Sequence, residues 1–312
     1  MRLASFALKE SPELHRVGLV TDDGVLDCSD IVAPARYDAI SPMRRLIAAE
    51  RADELARRAG TGPAVAFDRI RLLPPVPDPS KIIAAPVNYA DHQREMNESI
   101  HVDGLGVFLK APSSLVPHGG TVQLPYTDRR FDQEGELALV ISRRARNLGE
   151  AEAMNYVFGY SPLLDMTMRG GEDRSTRKSF DTFTPMGPCL VTADEIGDPR
   201  ELTLRCSVNG VVRQQARVAD LIWSVPRLVA YASSVMTLLP GDIISTGTPA
   251  GVGAVENEDR IELVIDRAGS LAASVTTSGA VPCPTQGAGR GPVPPAVVTT
   301  VAPAVRIQGG SE

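Results

Sequence analysis

The chain has 312 residues, 43 % of them hydrophobic, enough to build one large domain with a small appendage. Its formal net charge of -6 comes without any basic run, which argues against a nucleic-acid partner. No stretch approaches the roughly 18 consecutive apolar residues of a membrane span, and the opening MRLASFALKESPELH lacks the apolar core of a signal peptide, so no membrane association and a cytoplasmic location are expected.

Residues 1–75 read as a small N-terminal domain. LASFAL, HRVGLVT and GVLDCS form short strands broken by the turn Asp22-Asp23-Gly24. One helix should follow, capped by Ser41, with Pro42 in its first turn, Met43, Leu46, Ile47 and Leu55 on its apolar face, and Gly60 at its end. Pro74, Pro75, Pro77 and Pro79 make a stiff linker. Residues 80–276 are dominated by β-type segments such as GELALVIS, LTLRCSVNG and RIELVI, with helical patterns only at 150–156 and 219–237. That mixture predicts an α+β, mainly β catalytic domain. Residues 277–312 are rich in Gly and Pro, carry no aromatic residue and one acid, and are expected to form a disordered tail.

The chemistry concentrates in FDQEGELALVIS, residues 131–142, where Glu134 and Glu136 stand two apart at the head of an apolar run. On a strand, residues i and i+2 share a face, so both carboxylates can meet one cation. Oxygen ligands favour Mg2+ or Mn2+, with Ca2+ as a third candidate, over zinc. Taken alone, the pair also fits ordinary acids at an exposed strand end. Cys28, Cys189, Cys206 and Cys283 have no zinc spacing and read as reduced thiols. Among only four histidines, His92 has Glu95 three residues on. In a helix the two share a face, and the carboxylate can hold the imidazole in the tautomer that takes a proton from water. The run TGTPAGVG around Thr248 offers backbone N–H groups for an anion, but no phosphate-loop lysine accompanies it.

With KIIAAPVNYADHQREMN, FLKAPSSLV, NYVFGYSPLLDMTMRGGEDRSTRKSFDTFTPMGPCLVT, VNGVVRQ and LLPGDIISTGTPAGVG in this order, the chain resembles the fumarylacetoacetate hydrolase family over about residues 80–276, especially the members acting on small 2-oxo acids. The resemblance implies a mixed β-sandwich roll with a small N-terminal domain, a homodimer, and a small-molecule 2-oxo acid as substrate. It makes Asp165 the third metal ligand beside Glu134 and Glu136, and places His92 and Glu95 in a lid of about residues 90–104. Lys178 would meet negative charge on the substrate, while Arg169, Gln214 and Thr248 would contact its oxygens. Two departures stand out: Val218 where the family usually has threonine, and Glu258-Asp259 in place of a Gly-Asp pair. The implied reaction is metal-dependent hydrolysis of a C–C bond in a 2,4-dioxo acid such as an acylpyruvate or fumarylpyruvate. Decarboxylation of an oxaloacetate-type acid and tautomerisation or isomerisation of a 2-oxo diacid are alternatives on the same site, and a non-catalytic homologue is the rival from another class.

Overall fold

A computed structural model describes residues 1–32 and 40–295. Its centre is the strand Gly135–Ile141, buried along its whole length. Leu137, Leu139 and Ile141 face one core, which also holds Leu204, Ile261, Leu263 and Leu271. Ala138 and Val140 face a second core with Leu3, Val17, Met43 and Ile82. A strand covered on both faces has no polar side to alternate with, which explains the unbroken apolar run LALVI that follows Glu136.

Three sheets build the body around this strand, two of them mixed and the smallest antiparallel. The largest has 13 strands, and Gly135–Ile141 lies in it between Val157–Leu164 and Ile243–Ser245. A 5-stranded sheet, which includes Thr203–Val208 and Arg260–Ile265, packs over the first core, and a 3-stranded sheet carries Phe131–Gln133. Strands outnumber helices, as the sequence implied. The N-terminal segment does not stand apart: Arg2–Leu8 pairs antiparallel with Leu190–Thr192 and so extends the large sheet.

The expected helices form with shifted bounds. Ser41 caps Pro42–Ala48, accepting from the Arg44 N–H, but the single helix expected to reach Gly60 breaks at Glu50, whose φ is 53°, and a second runs Ala52–Arg58. The late helix is Val225–Val235 rather than 219–237. Pro226 has no N–H and fits only the first turn, so the helix cannot extend back through it.

The sequence 277–295 was expected to belong to a disordered tail, yet it follows the protein surface as a strap; 296–312 lie outside the described residues. Val281 bridges to Tyr126, the Cys283 N–H donates to Asp128, Thr285 reaches Glu172, and Arg130 donates to the Pro294 carbonyl. Polar anchors replace the apolar burial that its composition lacks. The Arg129 guanidinium beside Glu172 holds that carboxyl down at about 2.

The four cysteines are unpaired thiols. Cys28, Cys189 and Cys206 are buried, and burial pushes Cys189 up to about 11 and Cys206 up to about 12, out of reach of thiolate chemistry. Native protein should therefore release one equivalent quickly to a thiol reagent, from Cys283, and all four only in denaturant. Two or more fast equivalents in native protein would show that the cores are more open than described.

Candidate metal centre

The antiparallel register of Gly135–Ile141 against Val157–Leu164 sets Glu136 opposite Leu163 and Gly135 opposite Leu164. Asp165, the next residue, therefore meets Glu134, and the Asp165 N–H donates to the Glu134 carbonyl at 2.8 Å. Glu134 sits at the break between Phe131–Gln133 and Gly135–Ile141, where the chain passes from one sheet to another. The passage needs glycine at 135: a Cβ there would lie 2.9 Å from Leu263 Cδ1 and 3.0 Å from Cys206 Cβ. The result is a buried cluster of Glu134, Glu136 and Asp165 whose offered oxygens all lie within 4.8 Å of one another.

Cations hold two of these acids. Lys178 Nζ donates to Glu134 and Asp165, both at 2.6 Å, and to Thr167 Oγ1 at 2.7 Å. Arg169 forks between Asp132 at 2.6 Å and Glu134 at 2.8 Å. Lys110, fully buried, donates to Asp165 and the Phe183 carbonyl. Burial works against ionisation of Glu134, but Lys178 and Arg169 overcome it and hold the carboxyl far below its ordinary range. Glu136 makes no ion pair among the described residues. Ser245 and the Gly247 N–H donate to one of its oxygens, and the other has no hydrogen-bond donor among the described residues. Burial, with repulsion from Asp165, pushes Glu136 up to about 8. An all-oxygen cluster with one under-compensated acid fits a hard divalent cation.

His92 lies on the short helix Ala90–Glu95, buried beside the cluster. Its Nδ1 is 3.0 Å from Glu95 Oε2, and Glu95 Oε1 accepts the Gly251 N–H at 2.8 Å. Gly251 has φ +99°, and a Cβ there would run into the Arg213 carbonyl, so the glycine loop supplies a support that other residues could not. Residues 90–104, the lid that the resemblance implies, carry buried apolar anchors: Met96 and Val102 are buried, Val102 against Trp223 and Leu228.

His92, Arg169, Lys178, Thr248 and the three acids line one cavity of about 40 Å³, and Glu95 braces it from behind. Gln214 does not line it. Its amide is spent on the Gly135 N–H, Thr248 Oγ1 and the Pro249 carbonyl, so it positions the loop and strand instead of reaching substrate oxygens. Thr248 Oγ1 likewise donates to the Gly135 carbonyl, at 2.9 Å. Larger surface grooves, of about 540 and 530 Å³, lie elsewhere and include none of the clustered acids. Chemistry, not volume, locates the site.

Lys110, Asn88, Asp132 and Ser245 carried no role in the sequence reading. Lys110 stood within the quoted FLKAPSSLV and Asn88 just before Tyr89, but nothing in the local sequence announces a buried lysine beside Asp165. Asn88 donates to the Trp223 and Thr246 carbonyls and accepts the Trp223 N–H, tying the His92 segment to the strand end behind Glu136. Asn88→Ala should leave these groups unpaired and cost about 1–3 kcal/mol in a denaturant melt. A loss below about 0.5 kcal/mol would mean that the tie is not structural.

The protein-family model of the fumarylacetoacetate hydrolase C-terminal region matches residues 81–276. Maleylpyruvate hydrolase of Aquipseudomonas alcaligenes is 43 % identical over 278 residues, 84 % of this chain and 96 % of that protein. A mitochondrial oxaloacetate tautomerase of Xenopus laevis is 36 % identical over 264 residues, 81 % of each chain. The crystal structure of maleylpyruvate hydrolase from Sphingobium sp. SYK-6 with manganese(II) and pyruvate superposes with a TM-score of 0.78 at 37 % identity, covering 89 % of this chain and 99 % of that one. Fold, cluster and kinship define a metal-dependent hydrolase acting on carbon–carbon bonds. The chain belongs to the fumarylacetoacetate hydrolase family.

Proposed function

We propose that the protein cleaves an acylpyruvate-type 2,4-dioxo acid by hydrolysis, with Glu134, Glu136 and Asp165 holding Mg2+ or Mn2+ and His92 as general base. The observation that carries this reading is the convergence of the acidic cluster and the His92–Glu95 pair on one cavity. A bound divalent cation supplies positive charge to the 2-oxo and carboxylate oxygens of the substrate. The residues of the chain do the rest.

With its Nδ1–H donated to Glu95, His92 presents a lone pair at Nε2 to the cavity. It takes a proton from water as the oxygen attacks the distal carbonyl carbon. The bond between that carbon and the central CH2 breaks, its electron pair stays with the pyruvate fragment, and a proton returned by His92 completes the second product. Lys178, held at the cluster by Glu134 and Asp165, places an ammonium where that negative charge develops. Arg169 keeps Glu134 ionised and aimed inward. The same cavity supports tautomerisation of a 2-oxo diacid, a reading favoured by kinship with the oxaloacetate tautomerase, which needs proton transfer but no attack by water. A cytoplasmic homodimer is the proposed working form.

For the hydrolase, His92→Ala should lower kcat on an acylpyruvate by on the order of 10²–10⁴ while Mn2+ affinity stays nearly unchanged. Glu95→Gln should follow in parallel, and Asp165→Asn should lose metal affinity itself. Hydrolysis that survives both His92→Ala and Glu95→Gln would reject the pair as the base, and loss of Mn2+ binding in His92→Ala would place the imidazole among the ligands.

A further inference from the structure

Resting on the proposed 2-oxo acid site, we propose that the strap 277–295 is a working part of that site and that its Pro292 determines specificity, walling the mouth of the cavity against a long group beyond the 2-oxo acid head. The strap begins where the family match at residues 81–276 ends, so the wall is an addition to the shared domain. Pro292 lines the cavity of the acidic cluster yet stays exposed, which puts it at the mouth.

Glycines on both sides of the crossing let the strap dock by close backbone approach. The Gly171 N–H donates to the Gly287 carbonyl at 3.0 Å. A Cβ on Gly287 would lie 2.1 Å from Glu172 Oε1, an atom that Arg129 and Thr285 hold in place, and a Cβ on Gly291 would lie 2.7 Å from the Gly170 carbonyl oxygen. Only glycine permits such contacts. Gly170 and Gly171 stand between Arg169 and the helix Arg174–Lys178, so the strap crosses the loop that joins two cations of the cluster. A second tie runs inward. The carbonyl of buried Pro294 accepts from Arg130 at 3.2 Å, Arg130 pairs with Asp132 at 2.7 Å, Asp132 with Arg169 at 2.6 Å, and Arg169 with the metal-site acid Glu134 at 2.8 Å. Pro292, two residues before Pro294, is thereby held at a fixed place relative to the cluster.

Volume makes that placement consequential. With the strap docked the cavity is about 40 Å³, room for about three waters. An acylpyruvate exceeds that space, and its acyl end has to leave through the mouth beside Pro292. A pyrrolidine ring has no rotamer that swings it clear, and the glycine crossing keeps its backbone from retreating. In an open apolar groove each added methylene gains affinity. Against a fixed wall each added methylene costs affinity instead, as overpacking does in a core. The sign of the chain-length dependence therefore reports the strap.

The test is calorimetry of 2-oxobutanoate, 2-oxohexanoate and 2-oxooctanoate on the full-length Mn2+-loaded protein. In the wild type, affinity should fall by about tenfold or more from the shortest acid to the longest, the discrimination that a few methylenes supply. Pro292→Ala removes the ring and should shrink that ratio severalfold. Gly287→Val, at a position outside the cavity wall, should lift the strap from Glu172 and abolish the ratio; if this variant does not fold, Pro292→Ala alone decides. A flat or rising series in the wild type, a ratio unmoved by Pro292→Ala, or equal weakening of all three acids in the variants would overturn the assignment. Acylpyruvate turnover by the wild type is assayed separately. Turnover without the chain-length effect rejects the strap and leaves the hydrolytic reading, the effect without turnover does the reverse, and failure of all three acids to bind overturns both.

Discussion

The pairing of Gly135–Ile141 with Val157–Leu164 is the constraint on which the site depends. It sets Glu134 and Glu136 beside Asp165 from a distant stretch of chain, and the Asp165 N–H to Glu134 carbonyl bond fixes the last step of the ladder. A slip of one residue would turn Glu136 to the opposite face and replace it with an apolar neighbour. Two cores protect the register, because Leu137, Leu139 and Ile141 belong to one and Ala138 and Val140 to the other. The same apolar packing that stabilises the fold therefore holds the acids within ligand distance of one another.

Buried acids are costly unless paired. Here Lys110, Lys178 and Arg169 compensate Asp165, Glu134 and Asp132, and only Glu136 is left with neutral donors. Burial and Lys178 push the Lys110 ammonium towards neutrality while Asp165 resists, whereas Lys178 stays charged because its acidic partners outweigh its own burial. The cluster is thus nearly neutral without being apolar, and the remaining imbalance lies at one carboxyl. That is the arrangement a cation site requires: ligands held in place before the ion arrives, with one of them incompletely satisfied.

The acidic pair, its spacing and the mainly β architecture were legible because each has a local signature: period-two alternation for the carboxylates, and runs of short apolar segments for the sheets. His92 and Glu95 were legible for the same reason, since three residues on a helix fix their approach. What the sequence concealed is non-local. Lys110 reaches Asp165 across 55 residues and Asn88 reaches Trp223 across 135, and neither distance leaves a local mark. Gln214 looked like a substrate contact within VNGVVRQ, but its amide is consumed by the chain that it braces. The strap 277–295 was misjudged because its composition predicts little apolar burial, whereas polar contacts to Asp128, Arg130 and Glu172 hold it against the body.

Anomalous diffraction from crystals grown with Mn2+ tests the central assignment most directly. One strong peak is expected about 2.1–2.4 Å from oxygens of Glu134, Glu136 and Asp165, with Lys178 drawn back from at least one of them. A peak elsewhere, or Mn2+-loaded crystals in which Asp165 remains bound only by Lys110 and Lys178, would contradict a metal centre at this cluster.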